Sequence, residues 1–460
     1  MRKDRWTMRE CPDDAPLTSH RHFKSRALAR ESASTYAPLM SRRRFLARYG
    51  KGALAVSAGI VLTGCVSSAS GSVSAEVPDP PMDTPSQTTP AAFDTFSAKL
   101  DAVRAEGTFL FLWVSDSHAK IGDDRLRHAY DDLDAAFDLA EDLKPDMILH
   151  AGDIVDGSEG LDVYHENAEE YAALMATSPV PLLVARGNHD DNCYYTVNVS
   201  KNGVRSEVED TAYVAANLIR PAVDGECVFD DAAEGCYFYR DFPASKIRVV
   251  VLDTNDIPYR TGSDDKLVYT GLGQFGVGGR QVEWLARTAL ALPEEGWGVI
   301  VVSHINVRDD RPYGLNAWGE APTVSNGQQV WDVLQAFKMH RTGRSVNRDA
   351  DFACDVSYDF ASGPAGELIC YLNGHIHRDN CAFLDDVYCA SVRQLTNKDG
   401  ACVDAVVVDR ANGKIYFRTY DTPVGQPGDW DIDLAAQSGV PTMQNFYFGK
   451  TIDEESQTVS

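Results

Sequence analysis

Five short fragments of the 460-residue chain carry residue types that bind divalent metals and move protons. They are Asp116-Ser-His118, Gly152-Asp-Ile-Val-Asp156, Gly187-Asn-His-Asp190, Ser303-His304 and Tyr371-Leu-Asn-Gly-His-Ile-His377. Together they hold the carboxylates Asp116, Asp153 and Asp156, the amide Asn188 and the imidazoles His118, His189, His304, His375 and His377. Oxygen and imidazole donors in that number suit two first-row divalent ions rather than one. N/O sets of this kind accept Mn²⁺, Zn²⁺, Fe²⁺ or Co²⁺.

Each fragment follows a short apolar run: Phe109–Val114, Met147–Leu149, Leu182–Val184, Val299–Val302 and Leu368–Leu372. Runs of that length read as buried strands, and in an α/β sheet the residues at strand ends converge on one edge. Asp116 and His118 are alternate residues, as are His375 and His377, so each pair is expected to share one side of an extended chain. Gly152 is expected to leave room beside Asp153 for a close metal, and Gly187 to permit a tight turn. Helical patterns are expected at Phe93–Arg104, Asp123–Leu143, Glu166–Met175, Gln281–Leu292 and Gln328–Met339. A further strand is expected at Ile247–Leu252, and Ala405–Asp409, Asn412-Gly413 and Ile415–Tyr420 read as a hairpin.

The ordered set, D-x-H, GD-x-x-D, GNH, H and GH-x-H, resembles the calcineurin-like metallophosphoesterase family over roughly Thr108 to Tyr420. The resemblance implies an α/β/β/α sandwich, two facing mixed sheets flanked by helices. It also implies a metal-dependent phosphatase or phosphodiesterase acting on small phosphoesters. By the family pattern, Asp116, His118, Asp153 and His377 would hold one divalent ion. Asp153, Asn188, His304 and His375 would hold the second, with Asp153 bridging. Water acidified between the ions would attack phosphorus in line, and His189, its ring held by Asp156, would protonate the leaving alkoxide. Protein serine/threonine phosphatases of this superfamily carry Arg after the second Asp of GD-x-x-D, where this chain has Gly157. Purple acid phosphatases place a ligating Tyr where Asp156 stands. Neither subgroup's signature is present, and what remains resembles the broad bacterial phosphodiesterase/phosphatase branch. A second reading is a lipid-anchored binding protein that keeps the fold without turnover; a full ligand set weighs against it.

Hydrophobic residues make up 44% of the chain, enough for a sizeable core. The net charge of −25 conceals an asymmetry: residues 1–64 hold 13 of the 43 basic and 5 of the 68 acidic side chains. The strongly acidic remainder repels nucleic acid and anionic lipid at long range, so no nucleic-acid partner is expected. Within the basic segment, Ser41-Arg-Arg-Arg-Phe-Leu46 resembles a twin-arginine export signal and Leu62-Thr-Gly-Cys65 a lipobox. Between them the apolar run Ala53–Leu62 is too short to span a bilayer. The expectation is therefore an export signal over 1–64, translation from Met40, and a mature chain lipid-anchored through Cys65 on the outer face of the cytoplasmic membrane. Residues 65–95, rich in Ser, Pro and Thr, read as a flexible tether. The catalytic domain is expected over 96–420, with insertions near 191–235 and 305–366, and a motif-free tail over 421–460.

Eight cysteines follow Cys65: Cys193, Cys227, Cys236, Cys354, Cys370, Cys381, Cys389 and Cys402. Exported chains tolerate disulfides. Cys227 and Cys236, which bracket a short acidic loop, are the expected local pair. Gly271-Leu-Gly273-Gln-Phe-Gly276 matches a dinucleotide-binding pattern in letters only, because no strand–helix unit surrounds it; a lid-like loop is expected there. His128, His150, His165 and His340 fall outside the motifs and read as structural or surface residues. Arg186, Arg308 and Arg378 flank the motifs and read as salt-bridge partners before phosphate ligands.

Overall fold

The computed structural model describes residues 90–121, 124–230, 234–308, 323–395, 402–420, 428–439, 446–447 and 450–451. These belong to one compact unit of the chain, Met40–Ser460. The expected export signal, the lipobox at Cys65 and nearly all of the tether lie outside the described residues.

The chain first lays down three parallel strands, β1 (Phe109–Val114), β2 (Met147–His150) and β3 (Leu182–Val184). It crosses to a second sheet with β4 (Phe238–Phe242), β5 (Ile247–Val251), β6 (Trp297–Val302), β7 (Gly366–Asn373), β8 (Asn380–Leu384) and β9 (Val387–Ser391). It then returns to the first with β10 (Val403–Asp409), β11 (Lys414–Tyr420) and β12 (Trp430–Asp433). Strand order is β12-β11-β10-β1-β2-β3 in the first sheet and β8-β9-β7-β6-β5-β4 in the second, where Val228–Phe229 adds a short outer edge. β5, β6, β7 and β9 are parallel, and antiparallel strands flank them.

The sheets face each other. Phe109 on β1 meets Phe242 on β4 at 4.9 Å between ring centroids, and Tyr388 on β9 meets Phe417 on β11 at 5.9 Å. β6 makes the layering plain, because alternate residues serve different cores. Ile300 and Val302 enter the core shared with the first sheet. Trp297, Val299 and Val301 pack against α4 (Gly279–Trp284, continuing as a π-helical turn to Ala289) and α5 (Gly327–Lys338). The outer layer of the first sheet is α2 (Asp124–Leu143) and α3 (Leu161–Met175), preceded in the chain by α1 (Pro90–Asp101). This is the expected sandwich of two mixed sheets between helices.

Several boundaries differ from expectation. α3 starts five residues earlier than its apolar stripe suggested, with Asp162 in the first turn, where a negative charge favours a helix N-terminus. The first sheet does not stop at Tyr420, since β12 pairs antiparallel with β11. The 305–366 insertion contains α5 and a hairpin of Thr342–Asn347 with Cys354–Asp359. All eight described cysteines are free thiols, so the expected Cys227–Cys236 pair is not formed. Register explains this: Val228 lies opposite Tyr239 and Phe229 opposite Phe238. Cys227 therefore falls near Arg240, several residues out of step with Cys236.

Candidate metal centre

The C-terminal ends of β1, β2, β3, β6 and β7 meet where the two sheets adjoin. Asp116, His118, Asp153 and His377 place one ligand atom each within 4.8 Å of one another, as do Asp153, His304 and His375. Asp153 belongs to both groups. In the first, His118 Nε2 lies 3.1 Å from His377 Nε2 and 3.7 Å from Asp153 Oδ2, and His377 Nε2 lies 3.3 Å from Asp116 Oδ1. In the second, His304 Nε2 lies 3.2 Å from Asp153 Oδ2 and 3.1 Å from Asn188 Oδ1. Donors bound at ~2.0–2.2 Å to one ion stand about 3.0–3.6 Å apart in tetrahedral or octahedral geometry. Most of these separations fall in that range, so the donor set fits two divalent ions by both chemistry and spacing.

The local backbone is not the extended chain the alternation implied. Asp116, His118, Asp153, His375 and His377 have φ of 54°, 48°, 51°, 72° and 55°. Left-handed conformations of non-glycine residues cost of order 1–3 kcal/mol each and persist only where surroundings impose them. Here a ladder imposes several: the N–H groups of Asp116, His118 and Ala119 donate to the carbonyls of Gly152, Asp153 and Ile154. His375 and His377 consequently serve different groups although they are alternate residues. Gly152 is needed for a different neighbour than expected: a Cβ there would lie 2.7 Å from His304 Nδ1, so the space is filled by an imidazole.

Electrostatics hold the acidic core together. Burial alone would raise the Asp116 pKa, but His377 and His304 outweigh it and bring it to about 2. Asp153 is likewise held well below the usual range, its burial outweighed chiefly by His304 and His189. Burial disfavours charge on His304, yet Asp153 and Asp116 raise it to about 9. His377 is raised against its burial by Asp116. Burial and His304 push His375 down to about 3, and burial and His189 push His118 down to about 4. The raised values at His304 and His377 favour the protonated imidazoles that offset the carboxylates, and a histidine that ligates an ion must give up that proton. His304 Nδ1 donates to the Ala151 carbonyl at 2.8 Å, which aims Nε2 at the cluster.

His189 stands beside the first group, edge-on to His118 with ring centroids 4.6 Å apart. Its Nδ1 donates to Asp156 at 2.6 Å, through the main-chain carbonyl and not the carboxylate. The Asp156 carboxylate instead lies 3.6 Å from His118 Nδ1 and accepts from Ser158 Oγ. Gly157 has φ 61°, and a Cβ there would lie 2.3 Å from the His189 carbonyl, so no side chain fits where the protein phosphatases carry Arg.

Two neighbours escaped the sequence reading. Asp190 is fully buried and accepts from the N–H groups of Ile154, Val155 and Gly187, tying the second motif loop to the third. Burial and Asp153 raise its pKa to about 7. The last letter of Gly187-Asn-His-Asp190 was the available signal. Tyr194 stacks on His189, and nothing in the sequence marked it. Of the flanking arginines, Arg186 is wholly buried in an ion-paired cluster, and Arg308 pairs with Asp385 at 3.4 Å. His150 is structural: its Nε2 bonds to Ser117 Oγ and its Nδ1 accepts from Gly152 N–H. The Gly271–Gly276 loop ends on the site, where Phe275 meets the His375 ring edge-on at 5.5 Å.

Among solved structures, a dimetal phosphatase from Danio rerio is similar at 14% identity and a TM-score of 0.42, covering 71% of this chain and 99% of that one. An anchor in the inner membrane complex of Plasmodium matches at 11% and 0.36, covering 73% and 90%. A phosphopantetheinyl hydrolase from Mycobacterium tuberculosis matches at 14% and 0.26, covering 63% and 91%. No curated protein matches the chain. The calcineurin-like phosphoesterase family model matches residues 109–379, more than half of the chain and all five motif fragments, and the chain belongs to that family.

Proposed function

We propose that this protein hydrolyses small phosphomonoesters or phosphodiesters with two divalent ions. The reading rests above all on two buried donor groups that share Asp153. Asp116, His118, Asp153 and His377 would hold one ion, and Asp153, Asn188, His304 and His375 the other. Bound there, the ions would supply Lewis-acid charge and acidify water. The chain's own residues do the rest. Asp153 and Asp116 keep their negative charge despite burial, so the site is ready to accept cations. His189 has Nδ1 committed to the Asp156 carbonyl, which leaves Nε2 to carry the proton for the leaving oxygen. Reconstituted protein should contain two ions per chain by elemental analysis and should hydrolyse nitrophenyl phosphate mono- or diesters with Mn²⁺. One ion or fewer would end the dinuclear reading. Two ions without turnover on a panel of mono- and diesters would favour the binding-protein alternative.

Placement outside the cytoplasmic membrane is proposed from Ser41-Arg-Arg-Arg-Phe-Leu46 and Leu62-Thr-Gly-Cys65 alone. Among the described residues no helix is long and apolar enough to cross a membrane. One acyl chain anchors only marginally, so stable attachment through Cys65 needs more than one. Cys65→Ser should release the protein from membranes; retention of that variant would refute the anchor.

A further inference from the structure

We infer that Tyr194 is a positioning residue for His189: its ring is the platform that aims Nε2 at the leaving-group oxygen. This rests on the proposed role of His189 as leaving-group acid. The two rings stack with centroids 4.7 Å apart and planes inclined by 22°. His118 packs edge-on at 90°, and the Asp156 carbonyl takes Nδ1. Two aromatic neighbours and one hydrogen bond therefore restrain the imidazole. A histidine can flip about its outer torsion and exchange its nitrogens unless contacts prevent it.

The platform is itself fixed to the loop that supplies the carbonyl. Tyr195 N–H donates to the Gly157 carbonyl at 2.8 Å, and Asn192 Nδ2 donates to the Glu159 carbonyl at 2.8 Å. Asn192 N–H returns to the His189 carbonyl at 3.1 Å. Tyr194 thus shares one rigid frame with Asp156 and His189, and its displacement would leave the imidazole wall open on one side. In the reaction the P–O bond breaks and its electron pair goes to the leaving oxygen, which takes the Nε2 proton. Water supplies the new oxygen on phosphorus and the proton that restores His189. A misplacement of about 1 Å in such a step can cost ~10²-fold.

The test compares Tyr194→Leu, Tyr194→Phe and His189→Ala in otherwise intact protein. On an alkyl phosphate, whose leaving group needs a proton, Tyr194→Leu should lose ~10–100-fold in kcat. On a nitrophenyl ester it should lose only ~2–3-fold, because that phenolate departs unaided. Tyr194→Phe keeps the ring and should rescue both. A second readout needs no turnover: with ¹³C-labelled histidine, the His189 resonance, identified by its absence in His189→Ala, should shift on Tyr194→Leu and hold on Tyr194→Phe. An equal loss on both esters, failure of Phe to rescue, or an unmoved His189 resonance would overturn the inference. If His189→Ala itself loses equally on both esters, the leaving-group-acid reading fails first, and the resonance arm still decides whether Tyr194 orients the ring.

Discussion

Two buried acidic clusters lie on either side of the Gly187-Asn-His-Asp190 turn, and they are neutralised in opposite ways. Around Arg186, the guanidinium reaches Asp191 at 2.8 Å and Asp253 at 3.3 Å, and its two terminal nitrogens also bond to Tyr259, Thr211 and the Asn255 carbonyl. Around Asp153 the charges that offset burial come from imidazoles, those of His304, His189 and His118. A guanidinium is a permanent cation, whereas an imidazole can surrender its proton and become a ligand. The first cluster is closed for structural use, and the second is built for exchange. Arg393, which joins Asp379 at 2.6 Å to Asp404 at 3.2 Å, repeats the closed pattern in a third place.

The comparison breaks most visibly at Asp153. Asp153→Asn removes the carboxylate common to both donor groups, and both ions should bind weaker by more than the ~10–100-fold that losing a supporting residue costs. Calorimetric titration with Mn²⁺ checks this; undiminished binding of either ion would remove Asp153 as the bridge. Arg186→Met attacks the closed cluster. It leaves Asp191 and Asp253 buried without their cation and should cost ~3–5 kcal/mol of stability, read by denaturant unfolding. A change below ~1 kcal/mol would mean the guanidinium is dispensable there.

A third contrast lies in pH. In metal-free protein the His304 pKa is raised from 6.5 to about 9 by Asp153 and Asp116 against its burial. Its contribution to stability is fully present below the unfolded value and is lost as pH rises through about 9. The Arg186 guanidinium stays charged throughout that window, because Tyr259, Asp253 and Asp191 raise its pKa further against its burial. Stability of chelated protein between pH 6 and 9.5 should fall more steeply in the wild type than in His304→Gln, where His377 still contributes a slope of the same sign; identical profiles would count against the His304–Asp153 pair. The smallest effect is expected at Asp156→Asn, because the carbonyl that holds His189 survives the substitution. Its kcat should fall less than ~10-fold, well short of the ~10²–10⁴-fold for a lost acid; a loss as large as that of His189→Ala would return the role to the carboxylate.

Local signals carried the fold a long way. Unbroken apolar runs gave β1 and β3 to the residue, because strands buried on both faces need no polar alternation. The residues later found together at the site also stood in the sequence as short, spaced fragments. What stayed hidden was the course of the backbone and the aim of individual groups. Nothing near Tyr194 reveals that its ring meets His189, and nothing at Asp156 tells its carbonyl from its carboxylate. The Cys227 register depends on a strand ten residues away. β12 escaped because Trp430–Asp433 is only four residues long, and the left-handed backbone at five site residues is imposed by neighbours rather than by composition.

The seam between the sheets also sets a clock. His118 and His377 face each other across 259 residues of chain. At ~5–20 residues per second, a ribosome needs roughly 13–50 s to go from one to the other. Once Asn188 has been made, the first donor group still lacks His377, and the second still lacks His304 and His375. On the proposed dinuclear reading, a nascent chain would offer only partial chelation until the segment after β7 supplies His375 and His377. A chain truncated before His377 would lack a member of the first proposed donor group, whatever else of it had folded.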